Sequence, residues 1–183
     1  TSYLKDKIWL IDTEEIKNNL SQNYNFIKNI SISREFPDSL KINIKERIPL
    51  GKVSNNGKLI VFDREGIILK EENNYSSQVP LFKGFGYKFK ENRIIFQSAF
   101  SRIVKALNEI RNSTVKNIQL ISSEKENIKV KMESDITVYI GDNLKIIEKF
   151  KVLDSALERI KSENLKVEYL DLTVVSKPAV KLK

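Results

Sequence analysis

Residues 30–50, ISISREFPDSLKINIKERIPL, place an apolar side chain at every second position on both sides of the turn-forming Phe36-Pro37-Asp38-Ser39. Side chains alternate across an extended backbone, so Ile30 and Ile32 share one face, as do Leu40, Ile42 and Ile44. This spacing predicts a β-hairpin with one apolar and one polar face, and the apolar face needs a cover. Upstream, Asp12-Thr13-Glu14-Glu15 has the form of a helix start. Asp12 can cap, Glu15 stands three residues on as in a capping box, and Ile16 and Leu20 follow at helical spacing. A helix is expected from about Thr13 to Gln22. One short helix on two strands is a small core, so a third strand is expected upstream of Thr1.

From Gly51 the pattern changes to short β segments. GKLIVF ends at Asp63-Arg64-Glu65-Gly66, a turn with glycine last, and IILKE reads as the returning strand. QVPLFKGFGYKF is loop-like, broken by Pro80, Gly84 and Gly86. Phe96, Phe100, Ile103, Val104, Leu107 and Ile110 recur at helical spacing and predict an amphipathic helix over roughly Ile95 to Arg111. VKNIQLI, ENIKVKME and DITVYIG alternate as strands with one wet face. A second helix carries Leu144, Ile147, Phe150, Leu153, Leu157 and Ile160, and VEYLDLTVV and KPAVKLK follow as terminal β segments. The fold class is α+β.

The chemistry open to this chain is narrow. With no cysteine and no histidine, it lacks thiolate and imidazole nucleophiles, the usual zinc ligands and the commonest general base near neutral pH. Ser-x-x-Lys, a spacing used by penicillin-recognising enzymes, occurs at Ser2–Lys5, Ser113–Lys116 and Ser122–Lys125, without the companion Ser-Asp-Asn or Lys-Thr-Gly. Three occurrences in a lysine-rich chain read as chance. Asp171 with Glu168, and Asp135 with Glu133, are carboxylate pairs that nothing in the sequence places around a cleft. KGFGYKF precedes an extended segment and not a helix, so it reads as a turn packing Phe82, Phe85 and Tyr87 on the core and not as a phosphate loop. No catalytic residue, metal or cofactor is expected.

The formal charge of +8 favours anionic partners, among which anionic membrane and wall polymers are candidates. The lysines are dispersed, with no basic segment of interleaved aromatics, so nucleic acid is not expected. No run approaches the roughly eighteen apolar residues that a membrane span requires.

Two segments stand out. Glu46, Arg47 and Pro49 end the hairpin with opposite charges and a strand-stopping proline, which reads either as a surface ion pair or as a junction fixing the angle between two parts. At the C-terminal end, Val174, Val175, Ser176, Lys177, Ala179, Val180 and Leu182 are β-prone residues suited to a sheet edge. Lys177, Pro178 and Lys181 are also the residues that guard an edge against pairing, and the residues alone leave docking edge and guarded edge both open.

Taken in order, IDTEEIKNNL, FIKNISISREFPDSLKINIKERIPLGKV, LIVFDREGIIL, VPLFKG, VYIGD and VEYLDLTVV resemble the extracytoplasmic region of the bacterial cell-division family FtsQ/DivIB over nearly the whole chain. The resemblance implies a truncated POTRA domain over residues 1–50, with its first strand before Thr1. A curved, mainly antiparallel β domain with two helices would follow over residues 51–183. It implies a non-enzymatic scaffold at the division septum, anchored by a single upstream transmembrane helix. Its partners would be FtsB/DivIC-like and FtsL-like membrane proteins, the former adding a strand to the C-terminal edge. Asp171 to Ser176 would be the motif strand and Lys177 to Leu182 the partner-facing tail. Thr173 and Val174 stand where the family often has arginine and an aromatic. The alternative is a POTRA-containing module of a polypeptide-transport or outer-membrane assembly protein.

Overall fold

Asp12 organises the start of the first helix, α1 (Thr13–Asn23). Its Oδ1 accepts the N–H groups of Glu14 at 2.9 Å and Glu15 at 3.1 Å, amides that a first turn otherwise leaves unpaired. The computed structural model describes residues 8–73 and 78–183, so Ser2 and Lys5 lie outside the described residues. A 3₁₀ turn, Ile8–Leu10, precedes the helix. Strands β1 (Ile27–Glu35) and β2 (Ser39–Glu46) form the expected hairpin, with Ile30 opposite Ile44 and Ile32 opposite Ile42. The Arg34 guanidinium donates to the Ile11 carbonyl at 2.6 Å and tethers the segment before α1 to the hairpin. The apolar face is unevenly covered: α1 packs on β1 and Ile30 is buried, while Ile42 and Ile44 are 44% and 48% exposed.

The chain forms two compact units, Thr1–Ile48 and Pro49–Lys183. The second is built on a sheet of β3 (Pro49–Asn55), β4 (Lys58–Asp63), β5 (Ile68–Glu72), β6 (Leu81–Lys83), β9 (Ile118–Glu124), β10 (Asn127–Met132), β11 (Thr137–Gly141), β12 (Val167–Asp171) and β13 (Ala179–Leu182). A separate hairpin pairs β7 (Tyr87–Lys90) with β8 (Arg93–Phe96). The strand order in the large sheet is β13-β12-β11-β10-β9-β6-β3-β4-β5. The pairs β11–β12, β9–β6 and β6–β3 are parallel and the rest antiparallel. Helices α2 (Ser98–Asn108), α3 (Asn112–Lys116) and α4 (Ile146–Ser162) complete the unit, and α2 packs on α4.

One core serves this unit, with Val53, Phe62, Phe82, Ile121, Val130, Val138 and Leu170 from the sheet and Phe100, Leu107, Phe150 and Leu153 from the helices. Phe100 is its aromatic centre, with ring centroids 4.6 Å from Phe96, 4.7 Å from Phe82 and 5.2 Å from Phe85. Gly51 makes room for this cluster, because a Cβ there would run into the Phe82 ring.

Several local expectations are corrected. The loop-like stretch contains β6, a central strand bonded on both sides by parallel neighbours; three residues are too few to display alternation, and Pro80 and Gly84 merely bound it. Ile95 and Phe96 belong to β8, so α2 begins at Ser98. Val115 and Lys116 belong to the short α3 and not to a strand. Pro49 does not merely stop β2 but opens β3, where a missing N–H is tolerated. α4 begins at Ile146, so Leu144, 65% exposed, precedes it; the buried face of the helix is Ile146, Lys149, Phe150 and Leu153, while Ile147 is 39% exposed. Lys149 is tolerated on this buried face because its ammonium donates to the carbonyls of Ile140 at 2.9 Å and Asp142 at 3.2 Å and to Asp142 Oδ1 at 3.0 Å.

Candidate functional site

The segment expected to be the motif strand, Asp171 to Ser176, is mostly a turn. β12 stops at Asp171 because its carboxylate accepts both the N–H of Thr173 at 2.9 Å and its hydroxyl at 2.7 Å. A side chain that satisfies the backbone locally competes with the sheet ladder. These two bonds hold the Asp171 carboxyl below the usual carboxylate range. Val174, Val175, Ser176 and Lys177 therefore lie in the connection, closed by the Lys177 N–H on the Val174 carbonyl at 3.0 Å. Ala179, Val180 and Leu182 lie on β13, the last strand of the sheet.

β13 runs antiparallel to β12, with Ala179 opposite Asp171, Val180 opposite Leu170 and Leu182 opposite Val167. Just past it, the Lys183 N–H donates to the Lys166 carbonyl at 2.8 Å. Successive residues of a strand turn their backbone groups to opposite sides. Those of Lys181 therefore face β12, and those of Val180 and Leu182 face outwards. Among the described residues no strand pairs with that outer side. Continued one step back, the alternation puts the N–H that Pro178 lacks on the open side as well.

The two faces of β13 differ. Val180 and Leu182 stand opposite buried Leu170 and Val167, so they carry the core face of the sheet beyond its last covered strand, 50% and 55% exposed. On the other face Lys181 binds Glu168 at 2.9 Å and lies over the Tyr169 ring, 5.7 Å from its centroid, and Tyr169 packs edge-on against Tyr139. The Glu168 bond raises the Lys181 ammonium above its ordinary value.

Other sequence candidates are dispersed. Glu168 is bound to Lys181, Asp171 to Thr173 and Asp135 to Lys131 at 3.5 Å. No hydrogen bond joins Ser113 to Lys116 or Ser122 to Lys125 among the described residues, and no group of three or more acidic residues there gathers to hold a metal. No helix of the described chain is long and apolar enough to cross a membrane. Glu46 ends β2, the Arg47 N–H donates to the Phe26 carbonyl at 2.7 Å, and Pro49 pairs with Asp63.

Sequence reasoning missed an ionic staple beside α4. Arg111 Nε donates to Asp154 Oδ2 at 3.0 Å and Nη1 to Glu158 at 2.7 Å, while the Thr114 hydroxyl also bonds Asp154. The Asp154 bond is the main cause of a raised Arg111 value. The partners lie more than forty residues apart, so no spacing rule connects them. On β3, burial pushes the Lys52 ammonium below its ordinary range, opposed by the charges of Glu72 and Glu133.

A helix and hairpin followed by a mixed sheet, with helices on its core face and a last strand whose outer side no described strand pairs, define a two-unit α+β protein with an open sheet edge. Residues 1–47 match the POTRA domain, FtsQ-type, and residues 52–173 match the cell division protein FtsQ/DivIB, C-terminal family. The chain belongs to the FtsQ/DivIB family of cell-division proteins. It is similar to the cell division protein DivIB of Clostridium tetani, 23% identical over 197 residues, covering 98% of this chain and 70% of that protein. DivIB of Macrococcus caseolyticus is 28% identical over 153 residues, covering 82% of this chain and 47% of that protein. DivIB of Clostridium acetobutylicum is 26% identical over 185 residues, covering 97% and 72%. Among solved structures, the major extracytoplasmic domain of DivIB from Geobacillus stearothermophilus, in its trans isomer, is similar with a TM-score of 0.45 and 16% identity. That likeness covers 63% of this chain and 97% of the other. The C-terminal family match stops at residue 173, so β13 lies beyond it.

Proposed function

We propose that this chain is a non-enzymatic scaffold for septal cell division that lies outside the cytoplasmic membrane and docks a partner strand on β13. Membership of the FtsQ/DivIB family supports the division role. The observation that carries the docking reading is the outer side of β13, where Val180 and Leu182 present unsatisfied backbone groups next to exposed apolar side chains. An extended segment pairing there gains main-chain hydrogen bonds and covers the apolar strip. The partners suggested by the family resemblance are FtsB/DivIC-like and FtsL-like proteins, and the net charge of +8 adds long-range attraction to acidic segments.

The reading is tested by pull-down of this chain, intact and lacking Lys177 to Lys183, with the extracytoplasmic segments of FtsB/DivIC-like and FtsL-like candidates at physiological salt. Loss of capture in the deletion, with circular dichroism showing that the truncated chain folds, is the expected result. Equal capture by both forms would remove β13 as the site.

A further inference from the structure

We propose that the groove at the C-terminal end of α4 seats an acidic, partly apolar segment that flanks the strand docked on β13, giving partner recognition a second and electrostatic part. The choice of occupant rests on the strand-docking reading. The groove has a volume of about 790 Å³ and lies between α3, the second half of α4, the turn joining β10 to β11 and the start of β12. Its floor is apolar: Met132 and Ile136 are buried, and Leu157, Ile160 and Leu165 are half-buried. Val167 connects this floor to the edge, since it lines the groove and stands opposite Leu182. An apolar track thus runs from Val180 and Leu182 into the groove.

The charges around it are unbalanced in a specific way. Of the two carboxylates on its rim, Glu158 is engaged by Arg111 at 2.7 Å, which leaves Glu133 against three lysines. Lys161, Lys166 and Lys183, which also line it, form no ion pair among the described residues. An occupant carrying carboxylates is attracted and steered here, and a cationic one is repelled. The edge also needs such help. Only Val180 and Leu182 of β13 turn backbone groups outwards, and so few hydrogen bonds do not offset the cost of association.

The test titrates a fluorescently labelled extracytoplasmic segment of the FtsB/DivIC-like candidate with the intact chain, with Val180→Pro, and with Lys161→Glu combined with Lys166→Glu, across a salt series. Both lysines are exposed, so the double variant is expected to keep its melting curve. Two lost and reversed surface pairs weaken binding on the order of 10-fold at low salt, and the deficit shrinks as salt rises. A partner segment with its flanking Asp and Glu replaced by Asn and Gln is expected to bind the intact chain and the double variant alike. If the double variant binds like the intact chain while Val180→Pro does not, the groove inference fails and strand docking stands. If Val180→Pro binds normally, or the intact chain binds nothing, the underlying reading fails with it. Inorganic polyphosphate is titrated in parallel. Loss of its binding in the double variant with partner affinity unchanged would make the groove a site for an anionic polymer and overturn the proposal.

Discussion

Phe100 is fully buried and touches Phe62, Phe82, Phe85 and Phe96 at centroid distances of 5.9, 4.7, 5.2 and 4.6 Å. Phe100→Ala removes the ring that ties β4, β6 and β8 to α2. A buried phenylalanine truncated to alanine costs about 3–5 kcal/mol, the sum of lost transfer energy and an unfilled cavity. The rings around the gap are held by strands and a helix, so little collapse is expected and about 4 kcal/mol is the appropriate value. The second unit, Pro49–Lys183, has about 135 residues, and at roughly 2.1 cal/mol/K per residue its unfolding entropy is about 0.28 kcal/mol/K. The expected fall in Tm is therefore roughly 14 °C. Differential scanning calorimetry on the whole chain measures it, with Phe36→Ala as control, since Phe36 is 88% exposed in the first unit. A fall of less than about 4 °C in Phe100→Ala, near 1 kcal/mol on the same scale, would refute Phe100 as the centre of the core.

Three further outcomes are expected. Lys149→Ala removes the ammonium that the Ile140 carbonyl and the Asp142 carboxylate share, leaving the carboxylate only the Leu144 N–H, and destabilises by about 1–3 kcal/mol in urea titration; a neutral result would show that water replaces the ammonium. The hydrogen bond from Lys149 is also the main cause that holds Asp142 below its usual value. Its contribution is therefore fully present above the ordinary carboxylate range near about pH 4 and is lost as pH falls through the lowered folded value. Asp142→Asn is expected to flatten the acid limb of the stability curve, and an unchanged limb would contradict this. In strand docking, Val180→Pro removes an outward N–H and weakens partner binding with little change in Tm, whereas Lys181→Pro removes an inward one and loosens β13 from β12. Hydrogen exchange at Tyr169 and Asp171 distinguishes the two, and the reversed pattern would disprove the assigned alternation.

The hairpin, α1 with its Asp12 cap, the Asp63 to Gly66 turn and the apolar stripes of β9, β10 and β11 were all legible in the sequence. They depend on contacts between near neighbours, where a period of two or of 3.6 residues states directly which face is apolar. Family membership was legible too, because those same segments recur in a fixed order. The two terminal β segments were legible as VEYLDLTVV and KPAVKLK, but Thr173 bonding back to Asp171 ends the first at Asp171, so 172–178 form the connection and only Ala179–Leu182 make the last strand.

What the tertiary structure alone decided is everything that depends on what covers a face. β6 became the middle of the sheet because β3 and β9 flank it, although its own three residues have no readable period. Lys149 could be buried on α4 because the Ile140 carbonyl of β11 and the carbonyl and carboxylate of Asp142 just past it were there to receive it. Arg111 found Asp154 and Glu158, and Val167 joined the groove to the edge, through pairings between residues far apart in the chain. Periodicity reports which side of a segment avoids water; only the packed chain determines which other segment, or which partner, takes the water's place.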